Sequence, residues 1–356
     1  MATSSYKLFQ PIALDDDLVL RKRIVLPPMT RSRADPTTGV PHKPTGTYYA
    51  QRASVGLIIT EAVTTSRQAS GWYGAPAIYT DEQELGWKDV VESVHEKGGK
   101  VFIQLEHMGR RAHSSFNGGV QVVSPSALPT PDDGLGSSAN GGRVPYEVPR
   151  ALELNEIPSV VEEFRSAAER AKRAGFDGVE SVTNQRADKY GGSIENRARF
   201  LLEIVDALMT VHPASRVAVR LSPNGSSGGM GSADNFEQFM YTIEQLGQRK
   251  IAFIDLFESA DFGKHDKGRH IRPFDVKQVF GGIVVTGGGY VRDTAEGVLR
   301  SGAADAVAIG RPHLSNPDLI ERYQNDWTLA ETAAYDLWWN ASNGEDGFAT
   351  FPPYQP

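Results

Sequence analysis

Short apolar runs rich in β-branched residues recur along the chain at positions 23–27, 55–61, 100–105, 175–180, 216–221, 251–257, 282–286 and 304–309. Several are continuous rather than alternating, as expected of strands buried on both faces of a parallel sheet. Helical patterns lie between them. The 81–97 segment has acidic residues in its first turn and ends at Gly98-Gly99. The 156–174 segment puts Val160, Val161, Phe164, Ala167, Ala168 and Ala171 on one stripe, with Gly175 as its stop. Ser193 can cap a helix whose buried face is Ala198, Leu201, Leu202, Val205 and Leu208. Segments 235–246, 291–300 and 317–323 also read as helices.

Eight strands alternating with helices predict an α/β fold, a single (β/α)8 TIM barrel spanning 1–356. A doubly wound sheet is the alternative, but Gly287-Gly288-Gly289 does not extend to its glycine fingerprint. A long insertion, 107–150, follows the third strand and is rich in Ser, Gly, Pro and Asn. It reads as an excursion over one barrel mouth. The tail, 340–356, either caps a barrel end or is loose.

Composition narrows the chemistry. The 356 residues carry a formal net charge of −7, which argues against nucleic acid or an anionic membrane as the partner. The absence of cysteine excludes disulfides, thiolate metal sites and a catalytic thiol. The histidines are scattered, so no metal site is expected. No run approaches the ~18 apolar residues of a membrane span, and residues 1–10 show no secretory pattern. A cytoplasmic enzyme, monomer or homodimer, is the expectation.

Barrel enzymes place their chemistry where strands end. Pro28, Met29 and Thr30 follow the first strand, Glu61 and Ala62 the second. The third carries Gln104, Glu106 and His107, and the fifth Arg220. Gly288-Gly289 after the seventh and Gly310-Arg311 after the eighth each precede a helix, the usual barrel phosphate site. Glycine lets backbone N–H groups approach phosphate oxygens, and a guanidinium clamps them bidentately. The simpler alternative is two tight turns and a solvated arginine. Gln104 and Arg220 face two readings as well. They suit a heterocycle with imide-like donors and acceptors, or they satisfy each other in the core.

Together these residues resemble the old yellow enzyme family of FMN-dependent ene-reductases. The match runs from Lys7 to about Tyr354. It includes Leu8-Phe9-Gln10-Pro11, Arg23 to Arg31, Gln104-Leu105 with His107 to Arg110, and Arg186 through Tyr190-Gly191-Gly192-Ser193 to Arg197. Arg220 to Pro223, Gly288 to Tyr290, Ala306 to Pro312 and Asn316 to Leu319 complete it. The resemblance implies FMN as cofactor, NADPH as reductant and the C=C bond of an enone or enal as substrate. It implies that Pro28, Met29 and Thr30 line the flavin, that Thr30 tunes its potential, and that Ala62 offers its backbone. Gln104 and Arg220 would meet the pyrimidine edge; Gly288, Gly289, Gly310 and Arg311 the phosphate. Residues 348–351 would reach the flavin from the tail. Thr30 is similar to the plant, enterobacterial and fungal subclass, and the chain is read as a fungal-type member.

The pattern departs after the fourth strand. Val179-Glu180 runs directly into Ser181-Val182-Thr183-Asn184-Gln185-Arg186. The family's intervening segment, with its substrate-binding His and Asn or His and its proton-donating Tyr, is not there. Glu106 also stands where the family often has tryptophan. Glu106, Tyr73, His107 and Tyr190 are the candidate proton carriers, each of which also reads as structural or solvated. Two alternatives to net reduction follow. One is a redox-neutral isomerase or a dehydrogenase in specialised metabolism; the other is an FMN-binding protein without catalysis.

Overall fold

The computed structural model describes residues 5–131, 134–181, 189–258 and 263–355. Eight parallel strands close a barrel: β1 (Ile24–Leu26), β2 (Leu57–Thr64), β3 (Val101–Glu106), β4 (Gly178–Ser181), β5 (Val217–Leu221), β6 (Phe253–Phe257), β7 (Ile283–Gly287) and β8 (Ala306–Ala308). β8 pairs with β1, so no edge is left open. Every expected strand is present. The main shift is β2, which runs on to Thr64 and so keeps Ala62 in a strand.

The helices around the barrel are α1 (Lys43–Gln51), α2 (Asp81–Glu96), α3 (Ile157–Ala174), α4 (Ile194–Met209), α5 (Asn235–Gln248), α6 (Pro273–Phe280), α7 (Arg292–Ser301), α8 (Pro312–Ser315) and α9 (Leu319–Asn325). Thr80 and Gln83 form a reciprocal cap at the start of α2, and Ser193 accepts from Asn196 N–H at the start of α4. α1 and α6 are not visible in the apolar pattern, because both are short and begin at prolines rather than on an amphipathic stripe.

Period-two alternation divides the strand side chains between two cores. The outward set packs against the helices. The inward set, with Val25, Leu57, Phe102, Ala218, Phe253 and Val285, fills the barrel floor, and Leu18 and Leu20 of an N-terminal hairpin close it below. Phe102 and Phe253 stack there with ring centroids 5.7 Å apart. A Cβ on Gly178 would lie 2.4 Å from the Phe102 ring, so β4 needs glycine opposite it. Two residues on, the same inward faces carry Gln104, Glu180, Arg220 and Asp255. The barrel is apolar at its floor and polar beneath its mouth.

The insertion carries two small sheets. Residues 123–124 pair with 150–151, and a hairpin joins Leu135–Ser137 to Arg143–Pro145. The tail is not loose. Arg31 donates to the carbonyls of Trp338, Leu337 and Gly347, and Arg33 to those of Gly344 and Leu337. Phe348, 0 % exposed, stacks on Tyr48 at 4.5 Å with the Arg31 guanidinium 5.0 Å from its ring. This corrects the expectation that Phe348 faces the flavin: protein side chains enclose it, and it anchors the tail.

Candidate active site

The C-terminal ends of the strands form the mouth, and the loop after β1 is fixed first. β2 contains a bulge between Ile59 and Ala62, where one extra residue opposes β3. The bulge aims the Glu61 carboxylate at the loop, where one oxygen accepts from Arg31 N–H (2.9 Å) and Ser32 N–H (2.8 Å). Glu61 N–H donates to the Tyr49 hydroxyl at 2.8 Å, which holds the bulge from α1. Pro28 and Met29 are half-buried just before this pinned segment, and Thr30 is exposed on it.

Gly310 brings the loops after β1 and β8 together. A Cβ there would lie 3.0 Å from Met29 Sδ and 3.2 Å from Pro27 Cγ. Next to it, Gly288 (φ 133°) and Gly289 (φ 91°) turn the chain after β7 through backbone space that favours glycine. The N–H groups of Gly288, Gly289 and Gly310 donate to no acceptor among the described residues. Arg311 lies on the same rim, its guanidinium 5.2 Å from the Trp338 ring. Such a cradle suits a phosphate.

Below the rim, Gln104 Nε2 donates to Glu180 Oε1 at 2.6 Å, and Arg220 forms an ion pair with Asp255. The Gln104 carbonyl oxygen accepts nothing among the described residues. One amide edge and one guanidinium therefore lie above an apolar floor, as an imide-like ring edge requires. The two residues do not satisfy each other; separate carboxylates hold them.

Glu106 ends β3, half-buried, and its carboxylate makes no hydrogen bond to a described residue. Burial, with the neighbouring Glu61 charge, pushes its pKa up to about 7. His107 turns away. Its Nδ1 accepts from Gly109 N–H at 3.0 Å, burial lowers its pKa to about 4, and its Nε2 is enclosed without a partner. It lines a cavity of about 360 Å³ between the insertion, α3, α4, α5 and the loop after β5. Tyr73 lies under the insertion hairpin: its N–H donates to Ser137 Oγ at 3.0 Å, and a Cβ on Gly141 would meet its ring at 3.3 Å.

Tyr190 is a correction. It is 2 % exposed, its hydroxyl donates to Glu203 Oε2 on α4 at 2.9 Å, and its ring packs in the outer core with Phe200. A hydroxyl so committed is not a proton donor to substrate. Arg186, together with Val182, Thr183, Asn184 and Gln185 after β4, lies outside the described residues. Among the described residues no cluster of three histidine or carboxylate groups is arranged to hold a metal, and no helix is long and apolar enough to cross a membrane.

Sequence reasoning missed Glu180, Asp255 and the anchoring role of Glu61. Their only signal was a carboxylate inside an otherwise apolar strand, which demands a buried partner.

Residues 7–329 match the NADH:flavin oxidoreductase / NADH oxidase family. A probable flavin mononucleotide-dependent alkene reductase of Leishmania infantum is 38% identical over 323 residues, 85% of this chain and 86% of that protein. 12-Oxophytodienoate reductase 1 of Oryza sativa subsp. japonica is 35% identical over 356 residues, 92% of this chain and 88% of that one. The structure of morphinone reductase in complex with tetrahydroNAD superposes with a TM-score of 0.89 at 39% identity, covering 98% of each chain. The glycine cradle, the Gln104 and Arg220 edge and these matches agree. The chain belongs to the NADH:flavin oxidoreductase / NADH oxidase family, the old yellow enzyme family, and is a flavin oxidoreductase of the (β/α)8 type.

Proposed function

We propose that this protein reduces the activated C=C bond of an α,β-unsaturated carbonyl compound, an enone or enal, with FMN as cofactor and NADPH as reductant. The observation that carries the reading is the mouth itself. The Gln104 carbonyl oxygen, without a donor among the described residues, and the Arg220 guanidinium stand above an apolar floor, in the same mouth as a glycine rim whose N–H groups meet no acceptor among the described residues.

FMN, when bound, supplies the two-electron chemistry: hydride from the nicotinamide in one half-reaction, and hydride to the substrate's β-carbon in the other. Gly288, Gly289, Gly310 and Arg311 would hold its phosphate. Gln104 would bind the pyrimidine edge, and Arg220 would sit beside it as the positive charge for the reduced ring. Pro28, Met29 and Thr30 would line the ring on the β1 side, on a loop that Glu61 keeps from moving. Ala62 would lend backbone polar groups from the bulged strand.

The proton for the α-carbon has to come from another group. On the resemblance, Glu180 runs into Ser181 to Arg186 without the segment that would carry the substrate-binding pair and tyrosine. Among the described residues, Glu106 is a carboxyl at the end of β3 whose pKa is raised to about 7 and which has no hydrogen-bond partner to surrender. General acid help of this kind is worth ~10²- to 10⁴-fold.

The same missing segment favours one second reading, net isomerisation of the alkene, in which the hydride returns because protonation is slow. An anaerobic titration of the FMN-loaded protein with NADPH, and in parallel with NADH, tests both. Bleaching of the flavin band followed by reoxidation with cyclohexenone supports net reduction. Bleaching with the alkene isomerised and the flavin left reduced supports the second reading. A band that neither nicotinamide bleaches removes both readings with these reductants, because the hydride that returns must first come from reduced flavin, and leaves a different reductant or simple flavin binding.

A further inference from the structure

The polar layer under the mouth has an uneven charge count. Glu180 on β4 and Asp255 on β6 are both 0 % exposed. Between them, on β5, stands the single guanidinium of Arg220. The charged groups that face Glu180 are Arg220 from β5 and Asp255 from β6; β3 contributes the neutral amide of Gln104. Arg220 is ion-paired with Asp255, and Glu180 holds only the amide, at 2.6 Å. The second oxygen of Glu180 and the free oxygen of Asp255 are enclosed without partners.

One cation cannot neutralise two carboxylates in a buried layer, and an unpaired buried charge is removed by taking up a proton. Burial raises the pKa of both carboxylates, but the direct ion pair with Arg220 favours the ionised form of Asp255 and leaves Glu180 as the group that takes the proton. Burial and the Asp255 charge accordingly raise the Glu180 pKa to about 8.

We propose that Glu180 is a positioning residue that carries a proton beneath the pyrimidine edge of FMN, so that Arg220 answers one buried carboxylate and stays available to the negative charge of the reduced cofactor. The inference rests on the FMN reading above. Its consequence is a pH-dependent redox poise. Loss of the Glu180 proton in mildly alkaline solution adds a negative charge to the layer and makes the flavin harder to reduce.

The test is the midpoint potential of protein-bound FMN from about pH 6 to about pH 10, for the wild type, Glu180→Gln and Asp255→Asn. The amide introduced by Glu180→Gln keeps an acceptor for Gln104 and cannot ionise. Glu180→Gln should match the wild type below about pH 7 and lie above it beyond about pH 9, the wild type falling more steeply across about pH 8. Asp255→Asn leaves Arg220 to answer Glu180, which then ionises in place of Asp255, so this variant too should match the wild type below about pH 7 and lack its steeper fall across about pH 8. Superimposed curves for Glu180→Gln and wild type, or an offset already present at pH 6, overturn the inference while FMN binding leaves the functional reading intact. Failure to bind FMN would overturn both.

A second readout needs no flavin. A carboxyl with a raised folded pKa loses stability as pH rises from its unfolded value towards the folded one. Apo Glu180→Gln should therefore gain stability over apo wild type between about pH 5 and pH 8 and hold that margin above. A margin independent of pH overturns the assignment of the proton.

Discussion

Replacing Glu61 separates hydrogen bonding from charge at the point that holds the cofactor loop. Its carboxylate receives the N–H groups of Arg31 and Ser32 at 2.9 and 2.8 Å, all three residues being buried. Glu61→Ala leaves two enclosed donors without an acceptor. Each such orphan costs about 1–3 kcal/mol, so the loss of stability should be ~2–6 kcal/mol. Glu61→Gln behaves differently. Its amide oxygen can still accept, at the loss of charge assistance worth ~1 kcal/mol per bond. Against that, burial raises the pKa of Glu61, so the neutral amide escapes a desolvation cost that the ionised carboxylate bears. The two effects oppose, and Glu61→Gln should lie within ~1 kcal/mol of wild type. Both variants remove the charge that helps raise the Glu106 pKa. In the variant that keeps its loop, Glu61→Gln, the alkaline limb of the pH–rate profile should move to lower pH. Urea unfolding of the apo protein, read by tryptophan fluorescence, gives the first quantity. Enone turnover against pH gives the second. Equal stabilities for Glu61→Ala and wild type would refute the claim that this carboxylate pins the loop. An unmoved limb in Glu61→Gln would refute the electrostatic link to Glu106.

Glu106→Gln should cut turnover by ~10²- to 10⁴-fold while flavin reduction by nicotinamide proceeds, and it should abolish the limb near pH 7; undiminished turnover would remove Glu106 from the mechanism. Tyr190→Phe should retain activity and lose only ~1 kcal/mol with the Glu203 hydrogen bond, and a drop in turnover at unchanged stability would restore it as a catalytic candidate. Phe348→Ala should destabilise the protein by ~3–5 kcal/mol, because it empties an enclosed site against Tyr48 and Arg31, and limited proteolysis should then cleave the tail first. Gly310→Val should weaken FMN binding by tenfold or more in a fluorescence titration, since even a Cβ comes within 3.0 Å of Met29 Sδ.

The alternation of apolar strands with amphipathic helices contained the barrel. Strand and helix patterns are local, and each of the eight apolar runs is long enough to declare itself. The glycine turn after β7 was equally legible, because a need for unusual backbone geometry is written directly into residue type. Gln104 and Arg220 stood out as polar groups in apolar strands. What held them was out of reach. Gln104 meets Glu180 across 76 positions of sequence, and Arg220 meets Asp255 across 35.

Tyr190 shows the opposite error. Its position in a family-like motif suggested chemistry, and only the packing of α4 shows that its hydroxyl is already spent on Glu203. Phe348 lies in an irregular Gly- and Pro-rich tail whose course follows from Arg31 and Arg33, more than 300 residues earlier. By itself, then, the sequence determined the architecture and the flavin-oxidoreductase class. Only the tertiary structure decided which carboxylates share a buried layer with one guanidinium and which aromatic groups are enclosed by protein side chains. Those properties depend on distance and dielectric between residues remote in the chain, and no local pattern encodes either.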